Sequence, residues 1–390
     1  MLTSEALLEA AHGATGLDDM GAGDWREGLD RLTHGLRTEA ALNATGESIA
    51  EWWIGQRIAN RLKVVDWVKR HPALRAERVE RPLFVLGMLR TGTTILCELL
   101  ARDPANRALM KWEALDCVPP PRRETFTSDP RIARTVAETE WTYDLNPTLK
   151  AIHYEPGDGP TECVPVLGQH FRSQDYIGMF RIPSFNEWYE RCDMRDAYRY
   201  HEMVLALLQS EAPGRWSLKA PGHMYALEAL TSVYPDARLV VTHRDPVEVV
   251  GSNVSMMLHT GGAMLTDGPW AEYAKTVWRA IPRNMVSAML RFRDAHPQIR
   301  FYDFRYREFM ADPIGSLRAM YRFFGDELTP DAELRMRAHL AASPQGRFGK
   351  HSYALAELGL SEHAIRDEFA DYIERFDLAP ARAGSASAVR

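Results

Sequence analysis

The sequence predicts an α/β fold in which a P-loop-like parallel sheet is flanked by helices, with a helical extension in front and a mostly helical insertion near the middle. Two observations carry that prediction. The apolar run Leu83-Phe84-Val85-Leu86 passes straight into the loop Gly87-Met88-Leu89-Arg90-Thr91-Gly92-Thr93-Thr94, after which Ile95, Leu96, Leu99 and Leu100 recur at helical spacing. From Trp216 onward, short apolar runs alternate with helix-length stretches, a pattern that implies right-handed crossovers and a parallel sheet with its ligand at the strands' C-terminal ends.

Residues 1–80 form the helical extension. Ser4 caps a short helix ending at Gly13, a second helix runs from Asp24 to Ala41, and a third from Glu47 to Lys69 is stopped by His71-Pro72. The third carries Ile49, Trp52, Trp53, Ile58, Leu62, Val65 and Val68 in an apolar stripe, which packs on the core or on a partner subunit and is compatible with a homodimer. Residues 81–378 form the α/β domain. Within it, residues 122–210 follow Pro119-Pro120-Pro121 and are rich in Trp, Tyr, Phe and His without strand alternation, so they read as a helical insertion over the site where an acceptor is recognised. Beyond it come a helix-like stretch Gly222 to Tyr234, a buried strand Arg238 to Thr242, and a helix Pro246 to Met257 with proline in its first turn. A strand Ile299 to Phe304 and a helix Pro313 to Phe324 follow, and residues 379–390 read as a disordered tail.

Composition excludes several classes. A net charge of −6 and a pI near 6.1 argue against a general nucleic-acid binder. Cys97, Cys117, Cys163 and Cys192 have neither metal-ligand spacing nor the density of a disulfide framework, which points to reduced thiols and a cytoplasmic location. The first residues lack a basic leader, and no run of about 18 apolar residues exists to span a bilayer.

The glycine loop is the chemical centre. A strand-to-loop-to-helix turn aims free N–H groups and the positive end of a helix dipole at an anion. A triphosphatase loop places a lysine after its second glycine to reach the terminal phosphates, but Thr93 stands there in this chain. The nearest cation is Arg90, inside the loop. Such a loop suits a phosphate or sulfate group better than triphosphate hydrolysis.

These residues resemble the phosphosulfate loop of sulfotransferases that use 3′-phosphoadenosine 5′-phosphosulfate (PAPS), in which a Lys or Arg and a small residue precede Gly-Thr-Thr. Further resemblances lie in Val241-Thr242-His243-Arg244-Asp245-Pro246 with Ser252, similar to the family's 3′-phosphate signature, and in the segment from Tyr306 to Pro313, similar to its adenine-side tyrosine segment. The resemblance spans roughly residues 82 to 350, is closest to the bacterial-type, tyrosylprotein and trehalose branches, and implies a PAPS-dependent transfer needing no metal.

What it implies residue by residue is a set of expectations. Arg90, Thr91, Gly92, Thr93 and Thr94 hold the 5′-phosphosulfate, and Arg90 steadies the leaving group as a fixed fork of donors. Arg244 and Ser252 take the 3′-phosphate, Tyr306 stands beside the adenine, and Arg347 or Lys350 supplies a further cation from a glycine-containing lid. Glu113, in Met110-Lys111-Trp112-Glu113, matches a catalytic glutamate, with His153, Glu162 and His170 as competing bases; Lys219 matches a lysine beside the sulfuryl group. The acceptor is a hydroxyl of a small or lipid-like molecule, recognised by aromatics such as Trp141, Tyr176 and Trp188. The alternatives are a P-loop kinase or NTPase, for which a magnesium-binding carboxylate is missing, and an inactive nucleotide-binding protein.

Overall fold

Five short strands dictate everything else in the molecule. In a computed structural model, which describes residues 2–152, 154–342 and 353–378, they form one parallel sheet in the order β2-β3-β1-β4-β5. The helices and strands follow in chain order: α1 (Ser4–Thr15), α2 (Trp25–Thr38), α3 (Ala44–Arg70), β1 (Leu83–Gly87), α4 (Thr93–Leu100), β2 (Asn106–Ala108), α5 (Lys111–Leu115), α6 (Pro130–Leu145), α7 (Pro147–Ile152), α8 (Val164–Gly168), α9 (Asp175–Met179), α10 (Pro183–Tyr189) and α11 (Arg195–Gln209). After the insertion come β3 (Arg215–Lys219), α12 (Leu227–Val233), β4 (Arg238–His243), α13 (Pro246–Leu258), α14 (Trp270–Ala295), β5 (Phe301–Arg305), α15 (Tyr306–Ala311), α16 (Pro313–Phe323), α17 (Pro330–Ala342), α18 (Glu362–Glu368) and α19 (Ala370–Phe376).

The central strand explains the layering. β1 pairs with β4 from Leu83↔Arg238 to Gly87↔Thr242 and with β3 from Leu83↔Ser217 to Val85↔Lys219. Because side chains alternate across a sheet, Phe84 and Leu86 enter one apolar cluster while Leu83 and Val85 enter another. The smaller cluster is closed by Leu96 and Leu99 of α4 and Leu317 and Met320 of α16. The larger one runs from the sheet through the insertion into α1–α3, so the N-terminal helices share the core of the α/β layer rather than building their own.

Polar anchors fix that extension. Arg61 of α3 is buried and donates to the carbonyls of Met20, Ala22 and Gln169, while Arg172 of the insertion forks onto Asp24 at 2.6 and 2.8 Å. One expectation fails here. Trp52 does not pack in the core but is 56% exposed, because the buried face of α3 follows Ala50, Ile54, Ile58, Leu62 and Val65. Trp53, one residue on, meets Tyr176 and Phe180 of the insertion instead. Among the described residues no helix is long and apolar enough to cross a membrane, and the four cysteines are free thiols.

Candidate active site

The loop between β1 and α4 is held by side chains that the sequence alone offers as ligands. Thr91 is fully buried, and its hydroxyl lies 2.6 Å from both the Met88 carbonyl and the Thr242 hydroxyl at the end of β4. The hydroxyl clamps the loop to the sheet. Gly92 adopts φ +91, and a Cβ there would lie 2.9 Å from the Tyr306 ring, so both the left-handed turn and the close approach require glycine. The helix α4 then starts at Thr93 with its first N–H groups lacking intrahelical acceptors.

Arg90 also has a positive φ, +70, which a non-glycine residue adopts at a cost and keeps only where the surroundings enforce it. Its Nε donates to Ser252 Oγ at 3.3 Å, and Arg244 Nη1 donates to the Arg90 carbonyl at 2.8 Å. Arg244 is further fixed by Glu248, whose carboxylate accepts from Nε and Nη2 at 2.7 and 2.6 Å, and it stacks 4.2 Å over the Tyr306 ring. Four residues that are far apart in sequence, Arg90, Arg244, Ser252 and Tyr306, thus meet at one end of the loop. Burial, and then the neighbouring Arg244, lower the pKa of Arg90. Two guanidinium groups crowded together in this way are arranged for an anion with several oxygens.

Tyr353 was not foreseen. Its hydroxyl donates to the Glu248 carbonyl at 2.9 Å, and its ring lies so close to Gly251 that a Cβ there would approach it to 2.5 Å. Gly251, beside Ser252 on α13, was the available signal, since a helix glycine often marks close packing. Arg347, Lys350 and the glycine-containing lid, like His153, lie outside the described residues.

At the other end of the loop, Lys219 closes β3. Its Nζ is 3.0 Å from Glu162 Oε1 and donates to Thr94 Oγ1 at 3.4 Å. Burial pulls the lysine pKa down, but Glu162 above all carries the net shift upward, so the group stays cationic. Glu162 is held in place because Cys163 N donates to the Lys219 carbonyl at 2.7 Å, and it remains partly exposed. Glu155 stands nearby, 4.0 Å from Lys111 Nζ.

Glu113 requires correction. Its carboxylate is completely buried, accepting from Arg107 Nη1 and Nη2 at 2.8 and 2.6 Å and from Met110 N at 2.9 Å. It is the capping carboxylate in the first turn of α5, and the Arg107 guanidinium it pairs with lies over the Trp216 ring at 4.3 Å. The two Glu113 oxygens are taken up by the Arg107 guanidinium and the Met110 N–H. His170 is likewise structural: it is buried beside Arg172 and Asp24, and burial followed by Arg61 and Arg172 pushes its pKa down to about 2. Of the aromatics expected to meet an acceptor, Tyr176 is core and Trp141 is 60% exposed. Among the described residues no group of three His, Cys, Asp or Glu could hold a metal ion.

Known proteins resemble this chain in sequence and in fold. A family described as "Sulfotransferase family" matches residues 82–330. The curated omega-hydroxy-beta-dihydromenaquinone-9 sulfotransferase Stf3 of Mycobacterium bovis is 25% identical over 314 residues, covering 76% of this chain and 74% of its own. The crystal structure of sulfotransferase STF9 from Mycobacterium avium superposes with a TM-score of 0.88 at 33% identity, covering 97% of this chain and 98% of that one. That of sulfotransferase STF1 from Mycobacterium tuberculosis gives a TM-score of 0.81 at 32% identity, with 95% and 98% covered.

Proposed function

The chain belongs to the sulfotransferase family and is a sulfotransferase, and from that premise we propose that it moves a sulfuryl group from PAPS to a hydroxyl of a lipid-like acceptor. The convergence of Arg90, Arg244, Ser252 and Tyr306 at one end of the loop, with Lys219 and Glu162 at the other, carries the reading. Gly92 lets the backbone approach a ligand, and the first N–H groups of α4 face the 5′-phosphosulfate. Arg244 and Ser252 take the 3′-phosphate, which distinguishes this nucleotide from ATP and ADP.

The donor supplies an activated sulfuryl group whose transfer leaves a 3′,5′-bisphosphate. Bond making from the acceptor oxygen to sulfur and bond breaking to the phosphate oxygen are in line, so the protein contributes positioning and charge rather than covalent help. Arg90 and Lys219 neutralise the negative charge that grows on the departing phosphate oxygen. Glu162 receives the acceptor's proton. It replaces Glu113 in that role because it is the carboxylate beside Lys219 and Thr94, and it keeps an oxygen free of Arg107-type clamping. Glu162→Gln is expected to lower kcat by about 10²–10⁴ with nucleotide affinity unchanged, measured by bisphosphate release and by calorimetry. Retention of turnover would remove Glu162 from the mechanism.

The acceptor class rests on the curated relative, whose name specifies an ω-hydroxylated dihydromenaquinone. Only the chemistry is carried across: a largely apolar molecule presenting one hydroxyl.

Thermal stabilisation by 3′-phosphoadenosine 5′-phosphate, compared with ADP and ATP, tests the donor. Because stabilisation follows ligand concentration over Kd, at about 2.7 kcal/mol for a hundredfold excess, a shift specific to the 3′-phosphorylated nucleotide and lost in Arg244→Ala is expected. An equal or larger shift with ATP would overturn the reading in favour of a kinase-like protein.

A further inference from the structure

The segment matched to the family begins at residue 82, yet a side chain from the N-terminal extension reaches a carboxylate of the helical insertion. Arg57 of α3 has its side chain only 4% exposed, and its Nη2 lies 3.3 Å from Asp175 Oδ2 at the start of α9. Ser173 stitches α9 to the segment bearing Glu162: its hydroxyl accepts from Asp175 N at 3.3 Å and donates to the Val164 carbonyl at 2.9 Å, two residues beyond Glu162. Glu162 and Asp175 therefore stand at the starts of two consecutive short helices, α8 and α9, that are pinned together.

The corner is polar beyond what packing needs. Arg57 Nε and both side-chain amide atoms of Gln174, the neighbour of Asp175, are buried without a hydrogen-bond partner among the described residues. Buried polar groups are normally paired, and exceptions concentrate where a ligand or water is to be met. Asp175 itself retains about a quarter of its side chain exposed, 26%.

We propose that the N-terminal extension completes the acceptor site: Arg57, acting through Asp175, is a positioning residue that keeps a second carboxylate ionised beside Glu162. This rests on the functional reading above, in which Glu162 receives the acceptor's proton. The groups facing Asp175 are Arg57 from α3, Glu162 and Glu155 from the segment before α8, and Lys111 from α5. Burial raises its pKa most; Glu162 and Glu155 add to the rise and Arg57 opposes it, leaving the group at about 6. A raised carboxyl pKa means the charge is present only above that value. As pH falls through about 6, Asp175 becomes neutral and the corner it shares with Glu162 loses a negative charge.

The variants separate by direction. Arg57→Gln removes the cation that keeps Asp175 ionised, so the acid limb of the kcat/KM profile is expected to move to higher pH by about 1–3 units. Asp175→Asn abolishes the titration, so the limb is expected to move to lower pH. Arg57→Lys keeps the charge and holds the limb where the wild type has it. Affinity for 3′-phosphoadenosine 5′-phosphate stays the same in all three, which shows that each is folded. Limbs that stay in place, or that move in the same direction in Arg57→Gln and Asp175→Asn, would overturn the proposal. Failure of the wild type to consume PAPS would instead sink the functional reading. In that case the titration of Asp175 by carboxyl-carbon NMR, near 6 in the wild type and higher in Arg57→Gln, decides the inference by itself.

Discussion

Arg90→Gly is expected to abolish nearly all turnover while leaving the protein as stable as before, or more so. Two separate physical effects meet at this one position. The guanidinium lies within the glycine loop, in hydrogen-bonding reach of Ser252 and beside Arg244, and on the proposed reading it steadies the departing phosphate oxygen. Removing a donor that steadies developing negative charge costs about 3–4 kcal/mol of transition-state stabilisation, or about 10²–10³ in kcat. The backbone, however, sits at φ +70, a conformation in which any side chain is strained and glycine is not. Glycine relieves that strain, at the cost of a more flexible unfolded chain. The desolvation and like-charge repulsion that lower the Arg90 pKa also disappear with the side chain. Thermal unfolding without nucleotide should therefore show no loss of Tm, whereas bisphosphate release under saturating donor should fall by the factor above. A parallel fall in Tm and activity would mean that Arg90 holds the loop together and that the catalytic assignment is wrong. Arg90→Lys keeps the charge but loses the planar fork, so its rate should fall between the two.

The strain at Arg90 cannot be seen in a sequence, and it marks the boundary of what could be read there. Strand, loop and helix around Gly87–Thr94 were legible because an apolar run, two glycines and a helical period follow one another without a gap. Arg244 and Ser252 were legible as a pair because they stand only eight positions apart, across the start of one helix, a spacing fixed by the chain itself. Tertiary partners were not. That the Thr91 hydroxyl clamps the loop is visible only once Thr242, 151 residues later, is found beside it. The long helix α14 escaped because Pro282 lies inside it, and an internal proline argues against a helix. The edge strand β2 escaped because Asn106-Arg107-Ala108 is short and polar; its pairing with Arg215–Ser217 of β3 supplies what its side chains do not. The partner of Arg57 was unreadable too, since on its own helix the arginine is one basic residue beside an apolar stripe. Only the fold brings it against Asp175, 118 residues on.

Glu113 shows the same limit from the opposite side, because a motif match carries no information about what surrounds the side chain, and here the carboxylate is completely buried. The carboxylate points into the interior, where Arg107 and the Met110 N–H occupy its oxygens. Glu113→Gln is accordingly expected to behave as a stability mutation. It leaves the Arg107 cation buried, 5% exposed, without its counter-charge, and breaking a buried pair by removing one partner costs about 3–5 kcal/mol. Arg107 keeps its donations to the carbonyls of Ala212 and Leu208, so the loss should fall toward the lower end of that range. Chemical denaturation would read it as a lowered midpoint, while kcat of the folded fraction with saturating nucleotide stays within a few-fold of wild type. A catalytic base would give the reverse, a loss of about 10²–10⁴ in kcat with an unchanged midpoint. The double variant Arg107→Met, Glu113→Leu sharpens the contrast. Replacing both charges by apolar groups of similar volume removes the uncompensated cation, so stability should recover much of what Glu113→Gln loses. A base cannot be restored in that way: recovery of activity together with stability in a protein that has no carboxylate at position 113 would exclude proton abstraction there, and an inactive but stable double variant would reinstate it.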